Sequence, residues 1–213
     1  MLPTHRLQMH RMPISGHCHR VELLMSMLGL PYDLIDVDLL QGEHQRAYFL
    51  ALNALGQVPV LVDAGQVLSD SNAILAYLAQ RYAPGSAWMP QDAVGAAQLQ
   101  RWFSLAAGPL AAGIAGPRFA ALCGLPLSEA AQATGQRLLG FMEGELQGRA
   151  WLLGAAEPSL ADLAMVGYIS QADIAGLPLS AFPRIAGWVA RVQALPGYVP
   201  LADSLLPSTG ATA

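Results

Sequence analysis

The sequence predicts an α/β part with the element order β, α, β, α, β, β, α, followed by an all-α part. Up to about Tyr82, short strand-like runs alternate with amphipathic segments of helical period. Residues 83–92 (APGSAWMPQD) contain two prolines and one glycine, which is typical of a linker. Beyond this run the chain is rich in alanine and leucine and has almost no strand-like stretches. We therefore expect an α/β domain over residues 1–82, a linker over 83–92 and an all-helical domain over 93–213.

The first elements follow from local patterns. A short strand is expected over Leu7–Met12. Apolar residues then recur at i, i+3, i+4 and i+7, which is the spacing of an amphipathic helix: Val21, Leu24, Met25 and Leu28. Gly29 and Pro31 provide the signal that ends this helix. Tyr32–Leu39 (YDLIDVDL) alternates in part and predicts the second strand.

The remaining elements are assigned in the same way. Gly42–Leu52 is predicted to be helical, and Val58–Val62 and Gln66–Leu68 are strand-like. Ser69–Tyr82 predicts a helix that closes the first part. The second part should be helical throughout, with a bend or break in the Gly- and Pro-rich stretch Gly108–Pro126.

Composition excludes several classes of protein. Of 213 residues, 54% are apolar, and the net charge is only −4, so the chain should fold rather than remain disordered. The uncharged run Trp102–Pro117 is shorter than the ~20 residues that a membrane-spanning helix needs, so no membrane span is expected. The tail Pro207–Ala213 (PSTGATA) is expected to be disordered.

The basic residues and cysteines narrow the chemistry further. All 11 basic residues are arginine, which excludes Schiff-base lysines, pyridoxal phosphate anchoring and the lysine of a P-loop. A sequence pI near 5.6 and the lack of a basic run argue against nucleic-acid binding. Cys18 and Cys123 form no C-x-x-C pair, and the N-terminal residues show no secretory signal. These features favour a location of the protein in the reducing cytoplasm.

Polar groups stand at four boundaries between elements, and the first is Ser15–Val21 (SGHCHRV). Its hydroxyl and thiol lie at the start of a predicted helix. The free backbone N–H groups and the positive dipole end at that position favour an anion. The alternative is that Ser15 or Cys18 serves only as the N-cap.

The second and third boundaries surround the predicted hairpin. In Gln57–Val60 (QVPV) the proline interrupts the strand ladder and holds Val58 extended, so its N–H and C=O could pair with the backbone of a peptide-like ligand. In Ser69–Ser71 (SDS), helix capping alone would explain the residues. The ligand interpretation is that Ser71 and the helix N–H groups hold a carboxylate while Asp70 takes an ammonium group.

The fourth boundary, Ser159–Asp162 (SLAD), matches a capping box and is interpreted as structural. Taken in order, the segments resemble the cytosolic glutathione transferase family over about residues 5–200. The most similar stretch is Asn53–Tyr82 (NALGQVPVLVDAGQVLSDSNAILAYLAQRY). Ser15–Leu39 is similar to the serine-type bacterial and theta-like members, and Pro158–Met165 resembles the family's capping box and hydrophobic staple.

This resemblance implies a thioredoxin-like first domain and a transferase reaction with glutathione as co-substrate and no metal. It implies that Ser15 hydrogen-bonds the glutathione sulfur and favours the thiolate, which attacks a small apolar electrophile. The residues implied to bind glutathione are His44, Gln45, Gln57, Val58, Pro59, Asp70 and Ser71. Those expected to line the electrophile pocket are Met12, Trp102, Phe103 and Phe119. A cytoplasmic homodimer acting in detoxification is also implied.

Some residues depart from the family pattern and keep other functions open. Asp70 stands where glutamate is commoner, and Gln45 and Gln57 stand where theta-like relatives often have lysine. Cys18 at a helix start would suit a glutathione-dependent disulfide or dehydroascorbate reductase, although the reactive thiol of cysteine-type relatives sits closer to the Ser15 position. A non-catalytic binding protein with the same fold is a third possibility. The spacing of His17, Cys18 and their neighbours fits no familiar zinc pattern.

Overall fold

The structure, a computed structural model, describes residues 3–204, so the expected disorder of Pro207–Ala213 lies outside the described residues. Its N-terminal part contains one four-stranded sheet in the order β2-β1-β3-β4. The strands are β1 Leu7–Arg11, β2 Tyr32–Asp36, β3 Val60–Asp63 and β4 Gln66–Ser69. The pair β1–β2 is parallel, whereas β1–β3 and β3–β4 are antiparallel.

Three helices complete this part: α1 Gly16–Met27, α2 Ala47–Leu52 and α3 Ser71–Tyr82. The predicted order β, α, β, α, β, β, α is confirmed. The helix expected from Gly42 is divided, because Arg46 is extended between a 3-10 turn at Glu43–Gln45 and α2. Strand β3 begins only at Val60, since the preceding Pro59 has no N–H to donate to a ladder.

The C-terminal part is helical, as predicted. It contains α4 Ala93–Leu105, α5 Gly116–Leu122, α6 Glu129–Glu145, α7 Leu160–Ile169 and α8 Pro183–Gln193, with 3-10 turns at Ala172–Ala175 and Leu179–Ala181. The bend or break expected within Gly108–Pro126 comes at the end of that stretch, where α5 ends at Leu122, and the helix does not break at Gly108. Instead a π-helical stretch, Ala106–Ala115, joins α4 to α5. Pro109 lies inside it, where the wider turn accommodates a residue that cannot donate an N–H.

This joining produces a helical run longer than the uncharged stretch Trp102–Pro117, on which the expectation of no membrane span rests. The continuous helical run Ala93–Leu122 has the length and hydropathy to span a membrane. Buried helices of globular folds meet the same criterion, and this run buries Trp102, Leu110 and Ile114 completely. It also carries Arg118, whose guanidinium binds carbonyl groups inside the protein. We interpret the run as a core helix of this fold.

Helix α7 is the centre of the molecule, since all ten of its residues are buried. The capping box predicted at its start is present. Asp162 is fully buried, and its carboxylate accepts hydrogen bonds from the Ser159 amide at 2.8 Å, the Leu152 amide at 3.0 Å and the Trp188 indole at 2.8 Å. These bonds fix α7 relative to α8 and to the preceding loop. The helix also packs against α1 and α3, and so joins the two parts of the chain.

Candidate functional site

A cavity of about 570 Å³ opens between the N-terminal part and the run α4–α5. One wall comes from the loops at the end of the sheet and from the first turns of α1 and α3. It contains Met12, Ile14, Ser15, His17, Leu39, His44, Asn53, Gly56, Gln57, Val58, Pro59, Asp70 and Ser71. The opposite wall contains Ala107, Ala111, Ala115, Gly116, Arg118, Phe119 and Tyr168. Most of the residues singled out from the sequence therefore lie around one cavity.

Ser15 is both a helix cap and a lining residue of this cavity. It is extended (φ −80°, ψ 116°), and its hydroxyl accepts a hydrogen bond from the Cys18 amide at 3.4 Å. The capping interpretation and the ligand interpretation thus apply to the same side chain. Ser15 is the N-cap of α1, a helix of 12 residues, so the positive end of the helix dipole lies next to this hydroxyl.

Cys18, the alternative reactive group, is not among the residues that line the cavity. Its side chain is 1% exposed and belongs to the apolar core. Burial raises the pKa of Cys18 to about 11. A thiol that is buried and protonated at neutral pH is a poor nucleophile. This geometry counts against a reductase that uses Cys18.

The segment Gln57–Pro59 forms the edge of the cavity, and its Val58–Pro59 peptide bond is cis. Asn53 holds this segment, because its side-chain amide donates to the Gln57 carbonyl at 2.8 Å. His44 also lines the cavity. Gln45 does not line the cavity, and its side chain is exposed. The amide of Gln45 lies against Gly56, where an added Cβ would come within 2.7 Å of the amide nitrogen.

The start of α3 forms the third polar edge. Asp70 caps the helix by accepting hydrogen bonds from the Asn72 and Ala73 amides, both at 2.9 Å. Its φ of +69° lies in the left-handed region, which a residue with a Cβ rarely adopts. Such strain is often found where a binding site needs a fixed geometry. Asp70 and Ser71 both line the cavity.

A buried cation supports this third edge. Arg20 on α1 is 1% exposed, and its Nη1 donates to the Ser71 hydroxyl at 3.3 Å and to the Asn72 side-chain oxygen at 2.9 Å. Burial lowers the pKa of Arg20 to about 10, which leaves it charged at neutral pH. Within residues 3–204 no carboxylate forms a salt bridge with it. The guanidinium of Arg20 therefore places a positive charge next to the first residues of α3.

The expectation for two aromatic residues of the electrophile pocket is corrected. Trp102 is completely buried, with its ring centroid 5.7 Å from that of Phe141, and Phe103 is 7% exposed. Neither lines the cavity, because α4 turns both side chains into the core. Met12 and Phe119 do line it. The helical wall is instead made of Ala107, Ala111 and Ala115, a spacing of four residues that places small side chains on one face.

Sequence reasoning missed two larger residues of this wall. Arg118 is 1% exposed, and its guanidinium donates to the Ile14 carbonyl at 2.8 Å, to Gln171 Oε1 at 2.6 Å and to the Ala202 carbonyl at 2.6 Å. Tyr168 on α7 is 6% exposed. Each is far from the N-terminal motifs in the sequence, so no local pattern pointed to it.

The histidines of the first turn of α1 are structural rather than basic. Burial lowers the pKa of His17 to about 3 and that of His19 to about 4. His19 Nε2 lies 2.7 Å from the Val199 carbonyl, while the His17 ring meets the Tyr168 ring edge-on at 5.2 Å. Across residues 3–204 there is no group of three or more His, Cys, Asp or Glu side chains that could hold a metal ion.

Comparisons with known proteins agree with this geometry. Residues 9–86 match the family model described as "Glutathione S-transferase, N-terminal domain", and residues 126–191 match "Glutathione S-transferase, C-terminal domain". Human glutathione S-transferase theta-2 is 30% identical over 193 residues, which cover 86% of this chain and 79% of the relative. The sequence is therefore similar to that relative along most of its length.

Solved structures extend the similarity to three dimensions. A glutathione S-transferase from Pseudomonas fluorescens Pf-5 is 35% identical with a TM-score of 0.86, covering 93% of this chain and all of that one. A glutathione S-transferase from Xanthobacter autotrophicus Py2 is 31% identical with a TM-score of 0.84, covering 92% and 96% of the two chains. The thioredoxin-like first part and the helical second part are shared with these structures. The chain belongs to the glutathione S-transferase family of enzymes.

Proposed function

We propose that this chain binds glutathione in the cavity, ionises its thiol at Ser15 and adds the thiolate to a small apolar electrophile. The observation that carries this proposal is the position of the Ser15 hydroxyl, at the N-terminus of α1 and in the lining of the cavity. Polar edges at Gln57–Pro59 and Asp70–Ser71 lie on one side of it, and the alanine wall lies on the other.

Thiolate formation follows from the electrostatics of this position. A hydrogen bond to the charged form of a thiol and a nearby helix N-terminus both lower its pKa. Each unit of that shift corresponds to about 1.4 kcal/mol of preference for the thiolate. The two buried cations act in the same direction: Arg118 lines the cavity, Arg20 donates to the lining residue Ser71, and within residues 3–204 neither forms a salt bridge.

The tripeptide has complementary groups around the cavity. The backbone N–H and C=O of Val58, which lines the cavity, can pair with the cysteinyl residue of the tripeptide as an added strand would. The carboxylate of the γ-glutamyl group suits Ser71 and the positive end of α3, and Asp70 suits its ammonium group. The glycine carboxylate is assigned to His44 and Gln57, with Gln45 outside the lining.

The electrophile is assigned to the second wall. Phe119 contributes apolar surface there, Met12 contributes apolar surface from the first wall, and the alanines of the π-helical stretch leave space beside the Ser15 hydroxyl. Holding an electrophilic carbon next to the thiolate makes the reaction effectively unimolecular, which accelerates it strongly. The apolar character of this wall is why we propose an apolar substrate.

The proposal extends to assembly and role. We expect a homodimer, for which the exposed Val94 on α4 (72% exposed) offers one apolar contact. Sedimentation of the purified protein at several concentrations tests this state. We propose a cytoplasmic location and a role in detoxification from the resemblance, and the domain limits 1–82, 83–92 and 93–213 from the sequence pattern.

Calorimetric titration with reduced glutathione tests the binding step. Wild type should bind, and Asp70→Ala should bind at least several-fold more weakly, because it removes both the cap of α3 and the ammonium partner. Ser104→Ala is a matched control, since this serine is exposed on α4 and donates only to the Gln100 carbonyl. A folded wild type that gives no heat up to several millimolar glutathione would contradict the proposal and leave a binding protein of this fold.

A further inference from the structure

Asn72 links the two sides of the cavity by hydrogen bonds. It is the second residue of α3, the helix whose first residue, Ser71, lines the cavity on the side where the proposed function places glutathione. Its side-chain amide donates to the Phe103 carbonyl on α4 at 3.1 Å, and its side-chain oxygen accepts from Arg20 Nη1 at 2.9 Å. A guanidinium only donates and a carbonyl only accepts, so these two partners fix the orientation of the amide.

The Phe103 carbonyl lies just before the alanine wall begins. Leu105 is the last residue of α4, and the π-helical stretch starts at Ala106. Ala107, the first alanine of the wall, follows Phe103 by four residues, which is about one helical turn. The hydrogen bond from Asn72 therefore holds the helix at the junction between α4 and the wall.

A second hydrogen bond holds the other end of the wall. Arg118 follows Ala115, the last alanine of the wall, by three residues, and its Nη1 donates to the Ile14 carbonyl at 2.8 Å. Ile14 directly precedes Ser15. Within residues 3–204 these are the two hydrogen bonds that join the N-terminal part to the run from α4 to α5. The alanine wall is thus attached to the opposite side of the cavity at both of its ends.

Packing makes the end of the wall near α3 depend on Asn72. The wall packs mainly against α6, whereas α3 packs against α1 and α7. Direct packing between α3 and α4 is slight. The separation of α3 from the start of the wall is therefore set by the hydrogen bond between Asn72 and Phe103 more than by apolar contact.

We propose that Asn72 is a positioning residue that sets the distance between the glutathione side of the cavity and the alanine wall, and so determines the width of the apolar group that fits beside the glutathione sulfur. This inference rests on the proposed function, because it needs glutathione in the cavity. Asn72 acts through the position of Phe103 and does not need to touch either substrate. A displacement of about 1 Å is enough, since the reaction between two bound groups depends steeply on their geometry.

The binding of glutathione conjugates tests this role without turnover. S-methylglutathione occupies the glutathione side, S-benzylglutathione adds one ring against the wall, and S-(1-naphthylmethyl)glutathione adds two fused rings. Calorimetry measures the Kd of each conjugate for wild type, Asn72→Ala and Asn72→Gln. The Kd of the S-methyl conjugate divided by that of a ring conjugate gives the contribution of the ring. Any effect that Asn72→Ala has through Arg20 on the glutathione part cancels in this ratio.

Asn72→Ala should reduce the contribution of the benzyl ring about 3- to 10-fold, the effect of one lost hydrogen bond, because the wall is no longer held against the ring. The contribution of the naphthyl group should fall less, since a wall that can move outward accommodates the wider group. Asn72→Gln keeps the donor and the acceptor on a side chain that is one methylene longer. It should shift the preference towards the naphthyl conjugate even if Asn72→Ala does not fold.

Ser104→Ala is the matched control for these variants. Ser104 is exposed, directly follows Phe103 on α4, and donates to the Gln100 carbonyl within the same helix. Its replacement removes one side-chain hydrogen bond without affecting the link to α3. All three Kd values should therefore equal those of wild type, and a change like that of Asn72→Ala would contradict a specific role of Asn72.

The outcomes distinguish the inference from the proposed function. Equal ring contributions in wild type and Asn72→Ala would overturn the inference alone. An equal loss for the benzyl and naphthyl groups would also overturn it, since Asn72 would then support the fold without setting the width of the cavity. A wild type that binds S-methylglutathione but gains nothing from either ring would overturn the proposed apolar wall together with the inference. A folded wild type that binds none of the conjugates would overturn the proposed function as a whole.

Discussion

Arg20 and Ser71 join the first turns of the two helices that face the cavity. Arg20 Nη1 on α1 donates to Ser71 Oγ on α3 at 3.3 Å, and both side chains are buried. The same guanidinium binds the Asn72 side chain, whose amide donates in turn to the Phe103 carbonyl on α4 at 3.1 Å. One buried cation thus links the Ser15 end of α1, the edge at Ser71 and the helical part.

Replacing this cation should weaken glutathione binding. Arg20→Met keeps the length of the side chain and removes the charge, so the carboxylate proposed at Ser71 loses its nearest positive group. We expect about a tenfold loss of affinity, or about 1.4 kcal/mol, together with some loss of thermal stability, because Asn72 Oδ1 loses its donor. Calorimetry and a melting curve measure the two effects. Arg81→Met, on the exposed end of α3, is the matched control; equal binding by Arg20→Met and wild type would contradict the role of Arg20.

Enlarging the alanine wall should block the electrophile without affecting glutathione. Ala111→Phe places a ring inside the cavity, whereas Ala112→Phe adds the same ring to the exposed side of the same helix. We expect at least a tenfold rise in KM for an apolar electrophile with Ala111→Phe, unchanged KM for glutathione, and no change with Ala112→Phe. Steady-state kinetics with each substrate varied measure this. A matching rise in both KM values would show that the electrophile is not confined to this wall.

Removal of the Cys18 thiol should leave conjugation intact. The group is buried and does not line the cavity, and its pKa of about 11 keeps it protonated. Cys18→Ala should retain kcat/KM within about threefold and lose some stability, since truncation of a buried side chain commonly costs about 1 kcal/mol. Conjugation and disulfide-reduction assays of the variant are the measurement. Abolished activity in Cys18→Ala, with Ser15→Ala active, would reverse the assignment of the reactive group.

Stability should fall in acid because of a buried carboxylate at the end of β3. Asp63 accepts hydrogen bonds from Tyr77 at 2.8 Å and Tyr82 at 2.5 Å, and its other oxygen lies 2.6 Å from His5 Nε2. Burial raises the pKa of Asp63, but hydrogen bonds from Tyr82, His5 and Tyr77 more than offset this, so the pKa is lowered overall.

The sign follows from this direction. A lowered pKa in the folded state stabilises the protein above the unfolded pKa of about 4, and this contribution disappears as the pH falls through the folded value. The free energy of unfolding of wild type should therefore decrease more steeply below pH ~4 than that of Asp63→Asn, as denaturant titrations at several pH values would measure. Parallel curves for the two proteins would contradict this account.

The fold was predictable because its signals are local. The period of the apolar residues, the proline at Pro59 and the capping pattern at Ser159 each act within a few residues of the chain. Ser15, Asp70 and Ser71 were found for the same reason, since polar residues at the start of a helix are visible in sequence. The element bounds differ by a few residues where a cap or an extended residue, such as Arg46, interrupts a helical run.

The far wall of the cavity was less predictable. The sequence does not show which way Trp102 and Phe103 point, because the face of α4 that meets the core depends on its packing against α6 and α7. The alanines at 107, 111 and 115 carry no chemical signal, and only the assembled helix shows that they share a face. Tyr168 meets Gly16 across about 150 positions of sequence, a contact that no local pattern encodes.

The central claim is that the Ser15 hydroxyl stabilises the thiolate of bound glutathione. Its most direct test is the pH titration of ultraviolet thiolate absorbance for glutathione bound to wild type and to Ser15→Ala. We predict a thiol pKa well below that of free glutathione in wild type and a rise of at least about one unit in Ser15→Ala, with binding retained. The same thiol pKa in both complexes would contradict the account and exclude Ser15 as the activating group.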